Sequence, residues 1–169
     1  MSFQRKENPE EPSGKSWTAA EAKVKIASYC AYQERCQKEV RDKLYEYGLS
    51  PYEVENLVTF MVLEGFLNEE RFARSFARGK FRLKRWGKRR IQNELKLRQL
   101  NDTCIKLGLQ EIDEQEYWDT LLFLGEKKWM KIPDKDPYIR KMKLVQFLTF
   151  KGFEADLIQS AVEKIILHP

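Results

Sequence analysis

A cluster of basic residues lies between Arg71 and Arg98, in the segment RFARSFARGKFRLKRWGKRRIQNELKLR. It contains twelve arginines and lysines and a single acid, Glu94. The whole chain has 31 basic and 26 acidic residues and a formal net charge of +5, so everything outside this segment is net negative. A local basic surface of this kind favours a phosphate backbone or an acidic protein groove as its partner.

The spacing of the arginines is more informative than their number. Six of them follow one another at intervals of three or four residues: Arg71, Arg74, Arg78, Arg82, Arg85 and Arg89. On a continuous helix these positions share one face, whereas Phe72, Phe76 and Leu83 fall on another face that is predicted to be apolar and buried. Guanidinium groups are weakly hydrated and present a planar fork of donors that suits phosphate or carboxylate.

A solvated helix face that serves only solubility is the simpler alternative. Such faces usually mix signs, because like charges four residues apart repel, but no acid lies between Arg71 and Ile91. We therefore predict a contact surface made of nine cations: Arg71, Arg74, Arg78, Arg82, Lys84, Arg85, Lys88, Arg89 and Arg90. Phe81 and Trp86 lie among them and are candidates for stacking on nucleobases, although both also suit partly buried packing positions.

Residue types that support catalysis are scarce. His168 is the only histidine, which argues against histidine acid–base catalysis and against nearly every zinc site. The chain has neither the G-x-x-x-x-G-K-[ST] nor the G-x-G-x-x-G nucleotide motif. We expect no enzymatic activity, no cofactor and no metal. Cys30, Cys36 and Cys104 have no C-x-x-C spacing and are predicted to be free thiols in a reducing cytoplasm.

Capping signals and hydrophobic periodicity predict an all-α chain. The predicted helices cover residues 18–32, 36–47, 51–64, 69–85, 88–99, 102–107, 113–130, 137–151 and 154–167. No apolar run approaches the roughly 20 residues that a membrane-spanning helix needs, and the N-terminus lacks the apolar core of a secretory signal. We expect no association with a membrane.

A pattern of two apolar residues, a hinge and a further apolar residue recurs three times, at offsets of 51 and 53 residues. It occupies Val40–Leu49, Ile91–Leu100 and Leu144–Phe153, with glycine at the first and third hinges and Gln99 at the second. Unrelated amphipathic helix pairs could align in a similar way, but the near-constant spacing favours a true repeat.

The repeat predicts an elongated, curved array of three tandem three-helix modules preceded by an N-terminal helix. The predicted divisions are a disordered arm at 1–17, the N-terminal helix at 18–35, a first module containing the basic helix at 36–86, a second module at 87–132 and a third at 136–169. This third module would stop short of a full third helix.

Three motifs in this order resemble the RecX family, the regulators of the bacterial RecA recombinase. Leu67 to Ala73 is similar to the family's L-[DN]-[DE]-x-[RK]-[FY]-A motif, and Gly87 to Leu95 is similar to G-x-x-[RK]-I-x-x-E-L. Lys143 to Val162, which contains FLxxKGF, is similar to the family's third module. The resemblance covers residues 20–167, and Gln99-Leu100 departs from the Gly-Ile hinge that the family often has, which predicts a different turn there.

The resemblance implies a non-catalytic, cytoplasmic protein that binds within the groove of a RecA–single-stranded-DNA filament. There it would limit filament growth and inhibit ATP hydrolysis and strand exchange. We expect a monomer whose basic surface contacts the RecA nucleoprotein filament, single-stranded DNA and also double-stranded DNA. Two alternatives stay open: a helical DNA-binding module that acts without RecA, and a charged helical adaptor for an acidic protein.

Overall fold

The computed structural model describes residues 16–167, which form nine α-helices and no strand. They are α1 (Ala19–Tyr32), α2 (Gln37–Glu46), α3 (Pro51–Leu63), α4 (Glu69–Lys84), α5 (Lys88–Leu97), α6 (Asp102–Leu109), α7 (Glu114–Lys131), α8 (Pro137–Lys151) and α9 (Ala155–Leu167). The all-α prediction is confirmed, and every predicted helix lies within a few residues of its expected limits. Among residues 16–167, none of the helices combines the length and the apolar composition of a membrane-spanning segment.

Two sequence predictions concern the ends of the chain. His168 and most of the predicted disordered arm, residues 1–17, lie outside the described residues. The last residue of that arm, Trp17, is packed, because its ring stacks on Tyr47 with the ring centroids 3.6 Å apart. The prediction of disorder is therefore wrong for Trp17.

The helix starts follow from their capping residues. Thr18 and Ser50 each accept a hydrogen bond from the backbone of the glutamate three positions later, and that glutamate accepts one in return. These reciprocal bonds satisfy backbone N–H groups that have no partner within the helix. At α4, the Asn68 side chain accepts from the Arg71 backbone N–H at 2.8 Å. Capping thus fixes where the basic helix begins.

The three hinges adopt one geometry. Gly48, Gln99 and Gly152 all have left-handed backbone conformations, with φ of 81°, 62° and 99°. The apolar residue after each hinge donates its N–H to the carbonyl of the buried leucine five positions earlier, at 3.2, 3.2 and 3.3 Å for Leu49, Leu100 and Phe153. The prediction that Gln99 changes the turn is wrong. Gln99 makes the same turn as the two glycines. Its Cβ atom makes this left-handed backbone conformation sterically unfavourable, which is not so for glycine.

Gln99→Gly is expected to stabilise the protein by about 0.5–1 kcal/mol, because the steric penalty of the left-handed conformation exceeds the extra backbone entropy that glycine loses on folding. The free energy of unfolding in urea measures the effect. Gln92→Gly, inside α5, is the matched control and should cost about 1 kcal/mol. A destabilised Gln99→Gly variant would show that the Gln99 side chain contributes more than its backbone strain costs.

The helices group differently from the predicted modules. α4 packs chiefly on α6 and also on α5, whereas α7, α8 and α9 pack on one another and α3 contacts both α1 and α2. Gly108 of α6 lies so close to α4 that a Cβ atom there would sit 2.7 Å from the Ala73 carbonyl oxygen. The three-helix units are therefore α1–α3, α4–α6 and α7–α9. This corrects the predicted divisions at 18–35, 36–86, 87–132 and 136–169.

The displaced boundaries have a simple cause. Hydrophobic periodicity identifies each helix–hinge–helix pair, but it does not say whether the preceding or the following helix completes the bundle. Small residues decide the question here, since Ala73 and Gly108 let α4 and α6 approach closely. The basic helix α4 thus begins the second unit instead of ending the first, and the third unit has three helices.

The second and third units share one continuous core. Buried apolar side chains from Phe72 to Ile165, joined by Cys36 from the start of α2, form a single cluster across α4–α9. The remaining buried side chains of α1–α3 form a second cluster. Tyr117 lies where the two units meet, with its ring centroid 5.8 Å from that of Phe81 and 5.1 Å from that of Phe153. Its hydroxyl accepts from the Lys88 N–H at 2.9 Å and donates to Glu154 at 2.6 Å. Burial raises the pKa of the Tyr117 phenol, so the hydroxyl stays protonated as this donor requires.

The start of α5 meets the end of α8. The N–H groups of Gly87 and Arg89 donate to the carbonyls of Lys151 and Gly152, at 2.8 and 3.0 Å. A Cβ atom at Gly87 would lie 2.2 Å from the Gly152 backbone, so only glycine fits at this position. This backbone seam fixes the basic segment around Arg89 against the C-terminal end of α8.

The cysteines are free thiols, as predicted. Cys30 and Cys36 are buried, and desolvation raises the pKa of each thiol to about 11. Both are therefore held protonated at neutral pH.

Candidate polyanion-binding surface

The arginine row does not continue on one helix. α4 ends at Lys84, and Arg85 follows in the left-handed conformation with φ of 52°. Its N–H donates to the Phe81 carbonyl at 2.9 Å. Arg85 therefore ends the helix with a left-handed conformation that is usually adopted by glycine. Arg89 then lies in the first turn of α5. The row therefore divides at Arg85.

The first half of the row is paired with the protein's own carboxylates. Arg71 contacts Glu34 at 2.5 Å. The Glu111 carboxylate forms ion pairs with both Arg74 and Arg78, with N···O distances of 2.6 and 2.8 Å. Hydrogen bonds from these two guanidinium groups, Arg78 first, hold the pKa of the Glu111 carboxyl below its usual value.

Arg74 has a second carboxylate, Glu70, at 3.0 Å, and its hydrogen bonds to Glu111 and Glu70 raise the pKa of its guanidinium. Lys88, from the predicted surface, also forms an ion pair, with Glu114. For Arg71, Arg74, Arg78 and Lys88, packing between helices accounts for the charge without an external partner.

The second half of the row differs. Five of the nine predicted cations form no ion pair with any carboxylate in residues 16–167, and we refer to them as the unpaired cluster: Arg82, Lys84, Arg85, Arg89 and Arg90. Arg90 is half-buried and the other four are exposed. Gathered at the end of α4 and the start of α5, these side chains form the strongest candidate for binding a polyanion.

The aromatic residues of this segment have distinct environments. Phe81 is buried in the core, so its proposed role in base stacking is wrong. Trp86 is half-buried between two cations, with Lys80 at 4.9 Å and Arg90 at 4.1 Å from its ring centroid. Leu83, predicted to be buried, is 83% exposed, because its side of α4 faces an open groove and not α6. It lines a groove of about 460 Å³ with Phe76 and residues of the first unit.

Sequence reasoning missed a second group of residues, on the third unit. Phe150 is 72% exposed at the end of α8, and the Arg90 guanidinium lies 5.0 Å from its ring centroid. Lys128 and Lys131 lie nearby along a groove between α7 and α8. The sequence signal was the basic run Lys127-Lys128-Trp129-Met130-Lys131, which lies outside the basic segment.

Within residues 16–167, no three His, Cys, Asp or Glu side chains come together in a way that could hold a metal ion. The chemistry of the surface is therefore that of cations and aromatic rings. Such a surface can bind phosphates, carboxylates and unstacked bases.

Two models of known three-helix domains match this chain. The second three-helix domain of RecX matches residues 68–109, and the third matches residues 114–162. The chain belongs to the RecX family. The two RecX matches coincide with the units α4–α6 and α7–α9, and the basic helix α4 accordingly lies in the second RecX domain.

Relatives of known name are similar over most of the chain. "Regulatory protein RecX" of Clostridium perfringens (strain 13 / Type A) is 30% identical over 133 residues, which cover 78% of this chain and 62% of that protein. The protein of the same name from Bacillus cereus (strain B4264) is 28% identical over 145 residues, covering 85% of this chain and 53% of that protein. The chain thus spans between half and two thirds of the length of these RecX relatives.

Two solved structures have the same fold. The crystal structure of RecX from Lactobacillus salivarius aligns with a TM-score of 0.76 at 21% identity, covering 88% of this chain and 97% of that chain. A second crystal structure of regulatory protein RecX aligns with a TM-score of 0.78 at 20% identity, covering 86% and 73%. At these identities the RecX structures establish the fold alone.

Proposed function

We propose that this protein regulates the RecA recombinase by binding in the groove of the RecA–single-stranded-DNA filament. Bound there, it limits filament extension and inhibits ATP hydrolysis and strand exchange without catalysing a reaction itself. It acts as a cytoplasmic monomer. Membership of the RecX family supports the regulatory part of this proposal, and the unpaired cluster supports the polyanionic partner.

The observation that carries the proposal is that folding does not explain the position of the unpaired cluster. Arg89 and Arg90, which belong to the unpaired cluster, occupy the first turn of α5, which contains no acid. Cations are unfavourable at a helix N-terminus, because the macrodipole places partial positive charge there. The carbonyls of Lys151 and Gly152 at the end of α8 offset part of this cost. The remaining cost is accounted for if these cations bind an external anion.

Arg85 supports the same conclusion. A left-handed residue at a helix end is usually glycine, since a side chain with positive φ is strained. Arginine holds this conformation with φ of 52°, and its guanidinium lies 4.6 Å from the Phe123 ring centroid. Gln99 has a left-handed conformation as well, but Arg85 combines that strain with an unpaired positive charge, and this combination favours a functional role.

The test is the DNA-dependent ATPase of RecA on single-stranded DNA, titrated with this protein. We expect the ATPase rate to fall at substoichiometric or near-stoichiometric ratios, because a protein that bridges filament subunits combines many contacts at high effective concentration. An unchanged rate at every ratio would refute the proposal.

A DNA-binding module that acts without RecA is the second candidate, and the unpaired cluster alone does not exclude it. Such a module should bind naked DNA as tightly as it binds the filament, with an affinity that falls steeply as salt rises. Tight binding to filaments and weak binding to naked DNA at the same salt concentration would separate the two candidates in favour of RecA.

A further inference from the structure

The third unit has an exposed aromatic ring at the edge of a basic groove. Phe150, in the last turn of α8, is 72% exposed, while Phe147 one turn earlier is half-buried against the core. A phenylalanine that is left largely in water gains little from folding. Its position is more easily explained if the ring meets a ligand.

The groove beside Phe150 lies between the end of α7 and α8 and has a volume of about 420 Å³. Its charged residues are all lysines, namely Lys128, Lys131 and Lys143. Lys143 is paired with Asp134 at 2.9 Å, and the Lys128 amino group lies 5.1 Å from the Phe147 ring centroid. Lys131 has no carboxylate partner in residues 16–167, so the groove offers net positive charge next to two aromatic rings.

This groove continues into the unpaired cluster. Arg90 lies between the rings of Trp86 and Phe150, with its guanidinium 4.1 and 5.0 Å from their centroids. At the same point the Lys151 amino group donates to the Lys84 carbonyl oxygen at 3.4 Å. The backbone seam between α5 and α8 holds the two parts together. The result is one strip across the second and third units in which cations alternate with aromatic rings.

The chemistry of the strip favours a single-stranded nucleic acid over the other polyanions. Carboxylates of an acidic protein would use the lysines and arginines but not an exposed ring. In a duplex the base faces are covered by neighbouring bases, so Phe150 would find no surface to stack on. A single strand offers both regularly spaced phosphates and free base faces, and base–aromatic stacking tolerates any sequence.

We propose that Phe150 stacks on a base of single-stranded DNA whose backbone phosphates are bound by Lys128 and Lys131 on one side and by Arg90 on the other. This inference rests on the proposed function, because the strand of the RecA filament is the single-stranded DNA that the protein would meet. It assigns the third unit a direct contact with DNA.

The test measures binding of a fluorescent oligothymidylate of about 15 nucleotides, a length within the range of known single-strand sites, to the full chain over a series of salt concentrations. Phe150→Ala should weaken binding about 5- to 100-fold, as expected when one base no longer stacks on an aromatic ring. Its salt dependence should not change, because stacking releases no counterions. The double variant Lys128→Gln/Lys131→Gln should instead have a weaker salt dependence. The negative slope of log affinity against log salt should shrink in magnitude by about 0.7 for each phosphate that the lysines no longer bind.

Two controls isolate the stacking interaction. Tyr138→Ala removes a ring that is 70% exposed on the same helix but distant from the groove, and it should leave the affinity within about twofold, as expected for a residue outside the site. An oligonucleotide with abasic sugars has phosphates but no bases, so wild type and Phe150→Ala should bind it equally. The melting temperature of Phe150→Ala should stay close to that of wild type, since the side chain is largely exposed.

The inference is overturned if wild type shows no measurable binding to the oligonucleotide, if Phe150→Ala binds it like wild type, or if the variant loses affinity for the abasic strand as well. The RecA ATPase assay on the same proteins separates this inference from the proposed function. If Phe150→Ala inhibits RecA less than wild type but binds the oligonucleotide normally, Phe150 contacts RecA and the inference fails. If the stacking effects are present and wild type does not inhibit RecA, the inference stands and the proposed function fails.

Discussion

Replacing Arg82, Arg85 and Arg89 together with glutamate is expected to weaken binding to the RecA–single-stranded-DNA filament about 100-fold or more, because like charges placed across an interface cost several kcal/mol. All three side chains are exposed, and none pairs with a carboxylate in residues 16–167. Their reversal therefore removes charges available to a partner and breaks no internal ion pair. Inhibition of the RecA ATPase should disappear in parallel.

The expected effect on stability is small and mixed in sign. A glutamate at position 89 would lie in the first turn of α5, where the helix dipole favours an acid, whereas one at position 82 would lie in the last turn of α4, where it does not. A glutamate at position 85, the C-cap of α4, adds a second unfavourable contribution and loses the contact with the Phe123 ring, so with each contribution at about 0.3–1 kcal/mol the net cost should be about 1 kcal/mol. The far-ultraviolet circular dichroism spectrum and the melting temperature should stay close to those of wild type.

A charge-matched control separates a local surface from an effect of net charge. Lys106, Lys141 and Lys164 are exposed and lie on α6, α8 and α9. Reversing these three lysines lowers the net charge of the chain by the same amount but leaves the unpaired cluster intact. Anisotropy of the labelled proteins on preassembled filaments should show nearly normal binding for this control. Equally weakened binding in the two triple variants would show that the unpaired cluster is not the binding site.

The paired arginines provide a second comparison. Arg74→Gln with Arg78→Gln removes both partners of Glu111, whose pKa these arginines hold below its usual value. The effect should appear mainly in stability, in the packing of α4 against the segment after α6, and much less in filament binding. We therefore expect the arginine row to be divided by function as well as by geometry.

The local structure of this chain could be predicted from its sequence because it depends on near neighbours. Ser50, Pro51 and Glu53 cap α3 through contacts within four residues. The hinges are equally local, since Gly48 and Gly152 supply the left-handed conformation themselves. Even Gln99 could be placed in a hinge, because the apolar pattern around it matched the two glycine hinges.

The grouping of helices depended on contacts that no short pattern contains. The closeness of α4 and α6 comes from Ala73 and Gly108, which are 35 residues apart in the chain. The pairing of Arg74 and Arg78 with Glu111 crosses a similar distance. A helical wheel of α4 shows one continuous basic face, but it cannot show which of those charges another unit neutralises.

The basic residues of the candidate site could be predicted from the sequence, but its aromatic residues could not. The basic segment was visible as a run of residues, and five of its nine selected cations form the unpaired cluster. Phe150 lies 60 positions beyond Arg90 and meets it only because the start of α5 sits on the end of α8. Phe81 resembled a surface aromatic because its neighbours in sequence are basic, while its side chain points into the shared core.

Gly87→Ala is expected to destabilise the protein by about 3 kcal/mol or more, because the new methyl group meets backbone and not a side chain that could move aside. Its Cβ would lie 2.2 Å from the carbonyl carbon and oxygen of Gly152 and 2.3 Å from the nitrogen of Phe153. To make room, α5 must move away from α8. That movement would break the hydrogen bonds from Gly87 and Arg89 to the end of α8 and disturb the contact of Tyr117 with Lys88.

Gly79→Ala is the matched control, because nothing lies within 4 Å of the Cβ position at this helical glycine of α4. Alanine favours the helix over glycine by about 1 kcal/mol, so the two glycine-to-alanine substitutions should change stability in opposite directions. Free energies of unfolding in urea measure both. A Gly87→Ala protein as stable as wild type would mean that α5 and α8 do not form this close backbone contact, and the strip that joins Arg90 to Phe150 would then have no rigid support.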